Sequence, residues 1–67
     1  MVLVQLGSKM EKTKVIGQLV ENGSMSFRQL LESTGIEKNK LEKAIAELLI
    51  GNDIYKGTNG KEAVYEL

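Results

Sequence analysis

Between Ser26 and Leu67 the apolar residues hold a helical spacing over two short segments and then switch to strand alternation around a cluster of turn residues. That change of period leaves few arrangements open to a chain of 67 residues. Ser26 precedes an apolar run and Gln29 follows three positions later, an S-x-x-Q capping box that starts a helix. Phe27, Leu30 and Leu31 make its inward face, and Ser33-Thr34-Gly35 ends it after about two turns, Gly35 being free to take positive φ. Ile36 then plugs the core between two helices. A further helix runs from Glu37 to about Ile50, with Leu41, Ala44, Ile45, Leu48 and Leu49 occupying roughly a third of its circumference. Gly51-Asn52 closes it.

The remainder reads as strand. Ile54-Tyr55 begins a short one, and Gly57-Thr58-Asn59-Gly60 is a concentrated turn signal. Ala63, Tyr65 and Leu67 then alternate with Glu62, Val64 and Glu66, which gives a second strand. A two-stranded hairpin is marginal alone and must lie against the helices. Ser24-Met25-Ser26 is too short for an element of its own but long enough to add an edge bridge, making a small three-stranded sheet.

Upstream, Ser8 with Glu11 makes an S-x-x-E box for a first helix that runs to Glu21. Val15, Ile16, Leu19 and Val20 form its apolar stripe, and Asn22-Gly23 supplies a left-handed stop. Residues 9–67 therefore form the domain. Residues 1–8 are an apolar leader, either disordered or a short strand, because Val2, Val4 and Leu6 alternate with Leu3 and Gln5.

Composition narrows function more than fold. The chain has neither cysteine nor histidine, which removes disulfides and the usual soft metal ligands, so no metal or other cofactor is expected. A general base near neutral pH or a thiolate nucleophile would need those same residues, and no catalytic residue stands out. A non-enzymatic role is expected. No phosphate-cradling glycine loop is present, the seven glycines falling mostly at element ends. No stretch approaches the roughly 18 apolar residues of a membrane span, and Met1–Leu6 lacks a secretory signal's basic start. A cytoplasmic location follows as the expectation. So small a chain buries only about 60% of its unfolded surface, and a partner chain, here a homodimer through the apolar leader, would add to its thin core.

Ser24-Met25-Ser26-Phe27-Arg28-Gln29-Leu30-Leu31-Glu32-Ser33-Thr34-Gly35-Ile36 resembles the run in which a leucine-rich second helix ends at a Thr-Gly-apolar turn. Leu41–Leu49 followed by Gly51-Asn52-Asp53-Ile54-Tyr55 resembles a recognition helix that passes through a short turn into an aliphatic-led wing strand. Over residues 9–67 the chain is thus similar to the winged helix-turn-helix superfamily. The resemblance implies an α+β fold, a three-helix winged helix-turn-helix with a C-terminal two-stranded β-hairpin wing. It also implies double-stranded DNA as partner, with the third helix entering the major groove as in a small microbial transcriptional regulator.

Residue by residue, the DNA-binding positions implied are Lys38, Asn39, Lys40 and Lys43 on the third helix. Asparagine bonds adenine bidentately, and lysine reaches guanine or phosphate. The wing offers Lys56, Asn59 and Lys61 to the backbone, with Thr58 beside them. Arg28 and Gln29 stand where the second helix would meet phosphate. Against this, Glu37, Glu42 and Glu47 share the third helix, Arg28 is the sole arginine, and nine basic residues balance nine acidic ones. The Z-DNA-binding subgroup is disfavoured, since its wing prolines and tryptophan have no counterpart in a chain without Pro or Trp. The other reading is a winged-helix protein–protein interaction module in a replication, transcription or other macromolecular complex. Its mark would be an exposed apolar patch at Ile50, Tyr55 and Val64.

Overall fold

The computed structural model describes the backbone of residues 2–67 and the side chains from residue 9 onward. The capping signal at Ser26 is realised in full. Its Oγ accepts from the Gln29 N–H at 3.2 Å, and Gln29 Oε1 accepts from the Ser26 N–H at 2.9 Å. The helix so started spans Phe27–Thr34 and stops at Gly35, which takes φ +70°. Thr34 binds the turn together: its hydroxyl donates to the Leu30 carbonyl at 2.7 Å and accepts the Ile36 N–H at 3.2 Å. Ile36 is thereby delivered into the core, where it is buried.

In chain order the elements are α1 (Val2–Asn22), β1 (Met25–Ser26), α2 (Phe27–Thr34), α3 (Lys38–Ile50), β2 (Tyr55–Asn59) and β3 (Glu62–Glu66). The strands form one antiparallel sheet in the order β1-β3-β2. Met25 pairs with Tyr65 and Ser26 with Val64, so the short segment before α2 does extend the wing hairpin into a third strand. This is the α+β winged-helix architecture. Val15 and Leu19 from α1, Met25, Leu30, Ile36, Leu41, Ile45, Leu48 and Ile54 make one buried cluster where the helices meet the sheet.

Four local expectations are corrected. The helix α1 begins at Val2, so the short strand over Val2–Leu6 does not form and Ser8 lies inside a helix instead of capping one. Five residues of Val/Leu alternation are too few to separate a period of 2 from 3.6. Val20, placed on the inward stripe, is 66% exposed; Val15 and Leu19 define the buried arc of α1, and Val20 lies about 100° around the helix from Leu19, outside it. The wing turn is shorter than four residues. Asn59 pairs with Glu62, which leaves Gly60-Lys61 as a two-residue loop with φ +69° at Gly60 and an ordinary φ at Lys61. That pattern fits the II′ turn favoured by tight hairpins. Lastly, Val64 is only 8% exposed. It sits on the central strand, flanked by Ser26 on β1 and Gly57 on β2, and is no part of a free apolar patch.

The end of α3 also differs in detail. Gly51 stays right-handed, and Asn52 is the residue that turns left-handed at φ +61°. Asparagine tolerates that region better than most residues because its short amide bonds locally. The Asp53 N–H then closes onto the Leu48 carbonyl at 2.9 Å, and the chain enters β2 with Ile54 buried beneath the helix end.

Candidate nucleic-acid interface

Burial of Leu41, Ala44, Ile45 and Leu48 fixes the rotation of α3. At 100° per residue, the side most distant from that arc carries Asn39, Lys43, Ala46 and Ile50, with Lys38 and Lys40 flanking it at the amino end. Lys38, Asn39, Lys40, Lys43, Ala46 and Ile50 are all exposed. Of the four α3 positions implied by the resemblance, Asn39 and Lys43 share the side opposite the core, while Lys38 and Lys40 lie on its two flanks, about 160° apart. None of the three lysines forms an ion pair among the described residues, where the one pair is Lys12–Glu47.

That pair changes the charge of the helix face. Glu47 Oε1 lies 2.8 Å from Lys12 Nζ of α1, so one of the three glutamates is turned onto α1 and compensated there. Nothing local in the sequence announces a contact between two different helices, and Lys12 was not singled out as part of the interface. Glu42, by contrast, is exposed and lies on the other flank. It borders a shallow groove lined by Phe27, Ile45, Ala46, Leu49 and Tyr65, between α3 and the sheet. Glu37 is the residue before α3 and makes no side-chain cap. The N–H groups of the first turn consequently receive no acceptor from that side chain.

Outside α3 the expected residues are dispersed. Arg28 is exposed at the start of α2. Gln29 is there too, but its side-chain oxygen is already engaged by the Ser26 N–H, which leaves only its NH2 group for a ligand. On the wing, strand register decides the matter. Lys56 faces Tyr65 across the pair and Thr58 faces Ala63, on the side of the sheet that Met25 and Tyr65 turn toward the helices. Asn59 pairs with Glu62 on the opposite side. Lys61 is exposed at the turn itself. Lys56 and Lys61 are thus exposed, whereas Asn59 lies on the opposite side of the sheet from Lys56 and is paired with Glu62.

A tight Thr-Gly turn between α2 and α3, followed by the β2-β3 hairpin to which β1 adds a third strand, is the architecture of a winged-helix domain. No protein-family model matches the chain, and neither does any curated protein. Among solved structures it is similar to the Zalpha domain from Carassius auratus PKZ, a structure in complex with Z-DNA. The two superpose with a TM-score of 0.79 at 18% identity, over 91% of this chain and 97% of that one. At such low identity the likeness establishes the fold.

Proposed function

We propose that the protein is a DNA-binding winged-helix domain that places α3 in the major groove of double-stranded DNA, in the service of transcriptional regulation in a microbial cytoplasm. One observation carries the reading: Lys38, Asn39, Lys40 and Lys43 are all exposed on the helix this fold uses for recognition, and the three lysines form no ion pair among the described residues. The Lys12–Glu47 pair removes one carboxylate from opposing them. Asn39 and Lys43 are the base-reading candidates, and Lys38 and Lys40 hold phosphate together with the uncapped N–H groups of the helix start. Arg28, Lys56 and Lys61 brace the backbone on either side. Asn59 contributes to the turn and not to the contact. The role is binding alone, without catalysis or cofactor. Likeness to a domain that binds Z-DNA supports a nucleic-acid ligand. The wing, Tyr55–Glu66, has no proline, which favours right-handed DNA here.

Anisotropy titrations with a mixed-sequence duplex and a left-handed alternating C-G duplex test this. The expected result is binding to the mixed duplex that weakens with salt, with a log–log slope of about −3 to −5 for four to five phosphate contacts. Lys43→Glu should weaken it by about tenfold or more while leaving the fold intact. Binding restricted to the left-handed duplex would overturn the groove assignment. No binding to either at low salt would overturn the DNA reading.

A second reading, a protein-interaction module, rests on Ile50 and Tyr55, which are 82% and 55% exposed at the far end of α3 and the start of the wing. A partner there would engage those two residues and leave the lysines untouched. A pull-down that recovers a protein partner, lost on Ile50→Lys, with no DNA binding would favour it.

A further inference from the structure

Two asparagines of the chain, Asn22 and Asn59, are followed by glycine. That dipeptide is chemically labile, because the glycine nitrogen can attack the asparagine side-chain carbonyl carbon with no β-carbon in the way. As sequence the two sites are alike. Folding separates them.

At Asn22 both reacting groups are held. The Gly23 N–H donates to the Leu19 carbonyl at 2.9 Å. The Asn22 side-chain amide donates to the Gln18 carbonyl at 2.9 Å and to Gln18 Oε1 at 3.3 Å. Attack there requires the end of α1 to unwind and all of these bonds to break. The remaining asparagines are protected otherwise. The N–H after Asn52 is spent on the Leu48 carbonyl at 2.9 Å, and Asn39 is followed by Lys40 inside α3, whose β-carbon hinders the nitrogen.

At Asn59 neither group is held. Its side chain is exposed, and neither that side chain nor the Gly60 N–H makes a hydrogen bond among the described residues. Asn59 is the last residue of β2 and must leave its extended conformation to react, so the turn has to open first. Opening it undoes the pairing of Asn59 with Glu62 and uncovers no core residue, since Thr58, Asn59, Gly60, Lys61 and Glu62 are all exposed. Local openings of that kind are the least costly a fold has.

We propose that Asn59 is a site of spontaneous deamidation, with water as the co-reactant, which remodels the wing tip. The Gly60 nitrogen gives its proton to solvent base and bonds to Asn59 Cγ. The Cγ–Nδ2 bond breaks, and Nδ2 takes a proton from water and leaves as ammonia. Water then opens the cyclic imide. Cleavage of the new N–Cγ bond gives aspartate; cleavage of the original peptide bond gives isoaspartate, with the chain continuing through Cγ. Nothing is oxidised or reduced. Either product puts a carboxylate across the strands from Glu62, a destabilising like-charge pair. Isoaspartate also lengthens the main chain within a turn whose loop length sets its geometry. The inference is independent of the DNA reading and is tested without DNA.

Trypsin releases Asn59 within Gly57–Lys61 and Asn22 within Val15–Arg28, so mass spectrometry of the full chain, digested after timed incubation at mildly alkaline pH, follows both sites. Asn59 should convert to aspartate and isoaspartate, with Asn22 slower by about tenfold or more because its release needs the costlier opening. In urea the two sites should convert at similar rates. Aged chain should show faster amide exchange at Thr58 and Ala63, and equally aged Asn59→Gln, whose longer side chain closes the ring poorly, should not. Asn22 keeping pace with Asn59 in the folded chain would overturn the assignment, as would a difference between the sites that persists in urea. Exchange unchanged in converted chain would overturn the remodelling of the tip.

Discussion

Ser26, Gln29 and Thr34 show how few side chains are needed to set the helix-turn-helix corner. Ser26 and Gln29 exchange hydrogen bonds at the start of α2, and Thr34 bridges the Leu30 carbonyl and the Ile36 N–H at its end. Between them they fix where α2 begins, where it stops and where Ile36 enters the core. Ser26 is itself buried, so loss of its hydroxyl also leaves the Gln29 N–H without its acceptor. Ser26→Ala should cost about 1 kcal/mol or somewhat more, a fall of roughly 4–8 °C in Tm for a domain of this size. Thermal melts followed by circular dichroism check it, and an unchanged Tm would mean the box contributes nothing. The capping box was legible because its two members are three residues apart and local in action. The Lys12–Glu47 pair was not, since only the docking of α1 on α3 brings those residues together. Gln29 marks the limit of reading residue types: the same side chain suits a phosphate and a cap, and the cap takes its oxygen.

Among the elements, α2 and α3 were legible to within a residue, because capping, apolar period and stop signals coincide there. The wing was legible as a hairpin, though not in its register. Four consecutive turn-forming residues, Gly57-Thr58-Asn59-Gly60, conceal which of them the chain turns on, and pairing of Asn59 with Glu62 decides for Gly60-Lys61. That shift of the turn sends Asn59 to the wrong side of the sheet for a ligand on α3. Gly60 holds φ +69°, a conformation that a β-branched residue adopts at a cost of about 1–2 kcal/mol. Gly60→Val should therefore destabilise the chain by that amount and speed amide exchange at Thr58 and Ala63, which face each other below the turn. Unchanged exchange there would place the turn elsewhere. The start of α1 was misread because five residues of Val/Leu alternation are too few to separate a period of 2 from one of 3.6.

For the molecule as a whole, zero net charge was the least informative number in the sequence. Charge matters where it is exposed, and folding sorts it. Lys43 stands on the outer side of α3 with Lys38 and Lys40 exposed on its two flanks, Glu47 is compensated by Lys12, and Glu42 borders the apolar groove at the sheet. The fold was readable because local signals repeat along nearly the whole chain. The ligand was less so, because a winged helix presents whatever its surface residues offer and those residues obey no period. No helix among the described residues is long and apolar enough to cross a membrane. The central claim is that α3 is the DNA-contacting element. Chemical-shift mapping of the amide spectrum during titration with a mixed-sequence duplex at low salt tests it most directly. The account predicts perturbations concentrated at residues 38–43, at Arg28 and at Lys56 and Lys61, with Asn59 among the less affected wing residues. A spectrum unmoved by DNA, or one perturbed only around Ile50 and Tyr55, would contradict it.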